Sequence, residues 1–123
     1  MLNTLQPSPP STDILAIIGM TATGLSAIMA LKLLQTRRPR KVIAVDTSSW
    51  RLEMAHTYGA THGVNATLHR PGDLWKVLMD ITDGKGVDGA IDATGKAEVV
   101  EGLIHSAARK GRVISAGIGV NQV

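Results

Sequence analysis

The sequence predicts a doubly wound α/β domain, a parallel sheet of about five strands in the order 3-2-1-4-5 sandwiched in three layers between helices. Three observations predict it. Apolar strand-like runs alternate with helix-like runs along most of the chain, and parallel strands joined by helices bury both faces and so read as continuous apolar stretches. A glycine-bearing turn separates the first strand from the first helix, and an acid ends the second strand.

The elements follow in order. Ile14-Leu15-Ala16-Ile17-Ile18 is the first strand, and Gly19-Met20-Thr21-Ala22-Thr23-Gly24 turns it into a long apolar helix. Lys41 to Val45 is the second strand, closed by Asp46. Ser49 to Tyr58 is a helix capped by Ser48 or Ser49, with Leu52 and Ala55 inward and Gly59 stopping it. A short strand surrounds His62-Gly63-Val64, and Leu74 to Ile81 is a helix opened by Asp73 and closed by Asp83-Gly84-Lys85-Gly86. Val87 to Asp92, Ala97 to Ala108 and Arg112 to Ser115 complete the series as strand, helix and strand. Right-handed crossovers join the parallel strands.

From Asp13 to Asp46 this is the layout of a Rossmann-type dinucleotide-binding βαβ unit with one glycine missing. The first glycine of such a turn permits the sharp bend, the second lets the backbone approach a pyrophosphate, and the third lets helix and strand pack closely. Gly19 and Gly24 take the first and third places, and Thr21 takes the second. Its β-branched side chain occupies space a diphosphate would use. Were Thr21 also held at a disfavoured φ, the strain of about 1–2 kcal/mol would weaken binding about tenfold. The helix N-terminus still presents N–H groups and a positive dipole end to an anion. Asp46 lies about 20 residues beyond the turn, where a carboxylate accepts hydrogen bonds from ribose hydroxyls and repels a 2′-phosphate. NAD is therefore preferred over NADP.

Composition bounds the remaining possibilities. A chain of 123 residues is expected to be one domain, burying roughly two-thirds of its unfolded surface. It is 44% apolar, yet no run of about 18 residues lacks both charge and glycine, so no membrane span is expected. There is no cysteine, which fits a reducing compartment, and Met1 to Thr12 reads as a flexible polar and proline-rich leader, not a signal peptide. The cytoplasm is the expected location. The net charge of +3 gathers in Arg37-Arg38-Pro39-Arg40-Lys41, at the sheet end away from the cofactor. With only Trp50, Trp75 and Tyr58 as aromatics, a solvated loop is a better reading of it than a nucleic-acid surface.

Several segments together resemble a known family. Gly24-Leu25-Ser26-Ala27-Ile28-Met29-Ala30, Val42 to Asp46, Arg51-Leu52-Glu53-Met54-Ala55, Tyr58-Gly59-Ala60-Thr61-His62, Gly86-Val87-Asp88 and Gly111-Arg112-Val113 are similar to the cofactor domain of zinc-dependent medium-chain alcohol dehydrogenases. The aryl-alcohol (benzyl-alcohol) branch is the most similar, and Leu2 to Pro7 resembles the segment leading into the first strand. The resemblance implies that Gly19, Thr21, Thr23 and Gly24 run along the pyrophosphate and that Asp46 holds the adenosine ribose with Arg51 nearby. It implies Ala93, Thr94 and Lys96 on the adenine side, and Ala116, Gly117 and Ile118 at the nicotinamide. For Arg51 and Lys96 the alternative is an exposed helix charge.

The departures from that family limit what the chain does alone. The domain that carries zinc ligands in the family is missing, and residues 13–123 stop before the sixth strand that commonly forms the dimer contact. His56, His62, His69 and His105 fall at no ligand spacing, so no metal site is expected. Strand ends in an open parallel sheet converge on one crevice, here with Asp46, Asn65, Asp92, Thr94 and Ser115. His69 follows the third strand and is a candidate for acid-base work beside Asp46 and Asp92, against the plain alternative of a surface histidine.

Three functional readings remain. The first is the NAD-binding part of an aryl-alcohol-type dehydrogenase, not self-sufficient for zinc-dependent hydride transfer. The second is a repurposed stand-alone protein carrying out a cofactor-independent isomerisation, cyclisation or elimination on a small molecule. The third is a non-catalytic binding or regulatory module. The first helix, apolar at Leu25, Ile28, Met29, Leu31, Leu33 and Leu34, needs burial on a second side. A homodimer or partner protein is expected there or at the open sheet edge.

Overall fold

The computed structural model describes residues 13–34, 38–70 and 73–115. The proposed leader, Arg37, and the nicotinamide-side residues Ala116, Gly117 and Ile118 lie outside them. Five strands form one sheet in the order β3-β2-β1-β4-β5, and every pairing is parallel. β1 is Ile14–Ile18, β2 Lys41–Asp46, β3 His62–Asn65, β4 Val87–Asp92 and β5 Ala107–Ser115. The helices are α1 (Ala22–Lys32), α2 (Ser49–Tyr58), α3 (Leu74–Ile81) and α4 (Ala97–Ser106).

Strand periodicity divides the apolar residues between two cores. Ile14, Ala16, Ile18, Ile43 and Val45 point to one face and pack with Leu74 and Leu78 of α3 and Leu103 of α4. Leu15, Ile17, Val42 and Ala44 point to the other and pack with Ile28 of α1 and Ala55 of α2. β1 and β2 are thus covered on both faces, which is why both read as unbroken apolar runs. No helix among the described residues is long and apolar enough to cross a membrane.

Helix ends follow the sequence in most places. The Ser48 hydroxyl accepts the Arg51 N–H to start α2, and Gly59 stops it at φ 128°. Asp73 precedes α3 as expected, but its carboxylate makes no capping hydrogen bond; it pairs with Lys76 at 3.3 Å instead. α4 ends at Ser106, short of the expected Ala108, because β5 starts at Ala107. Ala107 pairs with Val87 and Arg112 with Gly89, so a bulge takes up the surplus residues of β5.

The opposite end of the sheet takes the basic segment. Arg40 pairs with Asp13 at 3.1 Å, and the Lys41 ammonium donates to the Ile81 carbonyl at the end of α3. Asp88 accepts from the N–H groups of Asp13 and Ile14, fixing the start of β1 against β4. These contacts lie at the N-terminal ends of the strands and leave the C-terminal ends open.

Candidate functional site

The turn after β1 is shaped by two glycines that nothing larger can replace. Gly19 sits at φ 93°, and a Cβ there would stand 2.9 Å from the Thr94 methyl. A Cβ on Gly24 would stand 1.9 Å from the Gly19 carbonyl oxygen, so α1 rests directly on the turn. Thr21, between them, has φ −74° and ψ −179°, ordinary extended backbone. The anticipated φ strain is therefore not there. The exposed Thr21 hydroxyl instead accepts the Gly24 N–H at 3.4 Å, so the second turn position occupies one of the amides that the helix would offer an anion.

Asp46 links this turn to the next one. One carboxylate oxygen accepts the Met20 N–H and the other the Ser48 N–H, both at 2.9 Å. An ionised carboxylate has about four acceptor positions, so two remain for a ligand. The residue is half-buried, with its outward side in the crevice.

Asp92 behaves differently. It is fully buried and accepts from the Thr94 N–H at 2.8 Å, the Thr94 hydroxyl, and the Gly95 N–H at 3.1 Å. It holds the β4–α4 turn and is not among the residues that line the crevice. The turn it builds brings Ala93, Thr94 and Lys96 to the crevice wall.

The crevice is a cavity of about 480 Å³ over the C-terminal ends of β1, β2 and β4. Gly19, Thr21 and Asp46 line one side, and Ala93, Thr94 and Lys96 another. Ile18, Val45, Leu74 and Val99 supply an apolar floor. A third wall comes from the loop after β3, through Ala66, His69 and Arg70. Of the residues singled out from sequence, Thr23, Gly24 and Arg51 do not line it; Thr23 and Arg51 are exposed, and Gly24 is packed beneath the turn. Arg70 was not anticipated, although it adjoins His69, whose position after β3 already suggested an overhang.

Asn65 at the end of β3, His56 and His62 have structural partners. Asn65 accepts from both the N–H and hydroxyl of Thr67 and donates to Ser49. His56 Nδ1 bonds the Ala60 carbonyl and His62 Nδ1 the Thr61 hydroxyl. Among the described residues no group of three or more histidine, aspartate or glutamate side chains is placed to hold a metal ion, and zinc finds no donor set there.

Crevice, turn and acid have the arrangement found in dinucleotide-binding domains, and the sequence comparisons are specific about which. Residues 22–123 match the profile of the family described as zinc-binding dehydrogenase. The chain belongs to that family. Within it, a probable alcohol dehydrogenase from Pseudomonas sp is 33% identical over 83% of this chain. The NADP-dependent isopropanol dehydrogenase of Thermoanaerobacter brockii is 36% identical over 69% of it. The benzyl alcohol dehydrogenase of Acinetobacter calcoaceticus superposes with a TM-score of 0.76 at 31% identity, across 96% of this chain and 30% of that one. The chain spans 30% of the Pseudomonas enzyme and 22% of the Thermoanaerobacter one, and it is homologous to the dinucleotide-binding part of such dehydrogenases.

Proposed function

We propose that the chain binds NAD(H) as the cofactor unit of an aryl-alcohol-type medium-chain dehydrogenase. The observation that carries this is Asp46, held by two backbone amides at the end of β2 with its free acceptor positions in the crevice. Two vicinal ribose hydroxyls match those positions; a 2′-phosphate brings its charge against them. Family membership leaves the choice of cofactor to such residues, since the Thermoanaerobacter relative is named as NADP-dependent.

In this reading Gly19 gives the sharp turn and Gly24 the close packing of α1 on it, and the N-terminus of α1 faces the charge of the diphosphate. Thr94 and Lys96 flank the adenine side, and the apolar floor excludes water beneath it. The bound nicotinamide supplies the hydride chemistry. The chain's part is to hold and orient it, and zinc ligands and substrate contacts come from outside the described residues. A homodimer or partner protein covering the exposed apolar residues of α1 belongs to the same proposal, as does a cytoplasmic location.

Calorimetric titration with NAD, NADP and their reduced forms tests it. NAD is expected to bind more tightly than NADP, and Asp46→Ala to remove that binding. Because Asp46 also satisfies two amides, the substitution costs about 1–3 kcal/mol of stability, so affinity must be read on protein shown to be folded. No NAD binding up to millimolar concentration overturns the proposal.

Two observations favour a second reading. His69 lines the crevice, and the Thr21 hydroxyl already occupies the Gly24 amide, which suits a cofactor-independent isomerisation, cyclisation or elimination with His69 moving the proton. That reading expects an organic ligand in the crevice and no dinucleotide affinity.

A further inference from the structure

We infer that the outer rim of the crevice, where Trp50 and Leu68 stand exposed, is a docking surface for an anionic lipid bilayer, with Arg51 and Arg70 as its charged flank. The inference is independent of the cofactor reading, since it concerns the outside of the rim and not what the crevice holds.

Single exposed apolar side chains are ordinary, but two held side by side among charges of one sign are not. Trp50 is 66% exposed in the first turn of α2, and Leu68 is 77% exposed in the single turn that follows β3. Both segments leave the C-terminal ends of neighbouring strands, where Asp46 and Asn65 are in register. The Asn65 amide donates to the Ser49 hydroxyl at 3.1 Å, and the Asn65 oxygen accepts the Thr67 N–H at 2.9 Å. Ser49 adjoins Trp50 and Thr67 adjoins Leu68, so one side chain fixes the backbone from which both apolar groups leave.

Arg51 follows Trp50, and Arg70 lies two residues beyond Leu68. Both are exposed, and neither has a carboxylate partner among the described residues, where the ion pairs are Arg40 with Asp13 and Lys76 with Asp73. The acids of this end are otherwise engaged: Asp46 is half-buried and accepts two backbone N–H groups, and Asp73 holds Lys76. Glu53 lies one turn farther along α2, away from the strand ends. An anionic bilayer complements this arrangement. Its phosphates meet the guanidinium groups, while indole and leucine enter the boundary between headgroups and acyl chains. Neither Trp50 nor Leu68 lines the crevice, so both stand outside its concave surface. A fluid interface accepts side chains that project separately, and an indole, apolar with one N–H, suits its headgroup level.

The test is flotation of the full chain with vesicles of phosphatidylcholine, alone or with about one-third phosphatidylserine. Binding is expected to the anionic vesicles only, and to weaken as salt is raised. Arg51→Gln with Arg70→Gln should weaken it about thirtyfold, and Trp50→Ser with Leu68→Ser should abolish it. All four side chains are exposed, so the substitutions leave the fold intact. Trp75→Phe leaves Trp50 as the single indole, and brominated lipid should then quench its emission with the rim unaltered. Equal binding to neutral vesicles, binding that survives the paired serine substitutions, or an unquenched Trp50 overturns the inference. Loss of binding with Leu33→Ser in their place moves the contact to the end of α1 and overturns it as well. No flotation with either vesicle overturns it in favour of a protein partner at the rim.

Discussion

Thr21 decides how well the turn receives a diphosphate. Its backbone is relaxed, and any cost it imposes comes from side-chain bulk and from the Gly24 amide it occupies. Thr21→Gly removes both obstacles, and glycine is a tolerated N-cap, so the helix loses only a few tenths of a kcal/mol. The expected result is about fivefold tighter NAD binding by calorimetry, the worth of one recovered hydrogen bond. Unchanged affinity would show that the threonine is no obstacle. The sequence made Thr21 conspicuous as a side chain where a glycine is usual, but its φ depends on the surrounding chain and was not readable. The place of Asp46 was readable because it closes an apolar run that forms β2, and strand ends of a parallel sheet meet at the crevice. Arg70 was not, because the reach of a loop cation depends on where the loop turns back.

At the level of elements, the β4–α4 connection depends on a single buried carboxylate. Asp92 satisfies two backbone amides and a hydroxyl, and Asp92→Ala is expected to cost about 3 kcal/mol, read as a lower urea midpoint. An unaltered midpoint with altered ligand kinetics would return Asp92 to the chemical candidates. β1 to β4 and the first three helices are legible because each carries its own periodicity and its own stop. Asp73 shows the limit: residue type marked the start of α3, but the carboxylate bonds Lys76 and not the helix amides. The α4–β5 boundary failed for a related reason. Pairing with β4 draws Ala107 into the sheet, and that gain comes from a distant strand, not from local sequence.

Across the whole molecule, the two faces of the sheet are unequally covered. Ile91 and Ile114 are cross-strand neighbours, with Ile91 turned toward the α1 side and Ile114 59% exposed. On α1 Ile28 is buried while Met29 is 49% exposed, and Leu33 and Leu34 just past its end are 80% and 43% exposed. This is the second apolar side that the all-round pattern of the helix implied. Sedimentation at micromolar concentration is expected to show a dimer, and Met29→Lys with Leu33→Glu to yield a monomer. A monodisperse monomer before substitution would dispose of the self-association proposal.

The double hold of Asp46 on Met20 and Ser48 gives the protein an internal reporter. Charge drawn off by a ribose is charge withdrawn from both amides at once, although they belong to different loops. In a proton–nitrogen correlation spectrum the two resonances should move together along one titration curve as NAD is added. A ligand seated elsewhere in the crevice would leave that pair in place, so two peaks would locate the adenosine end without any substitution at all.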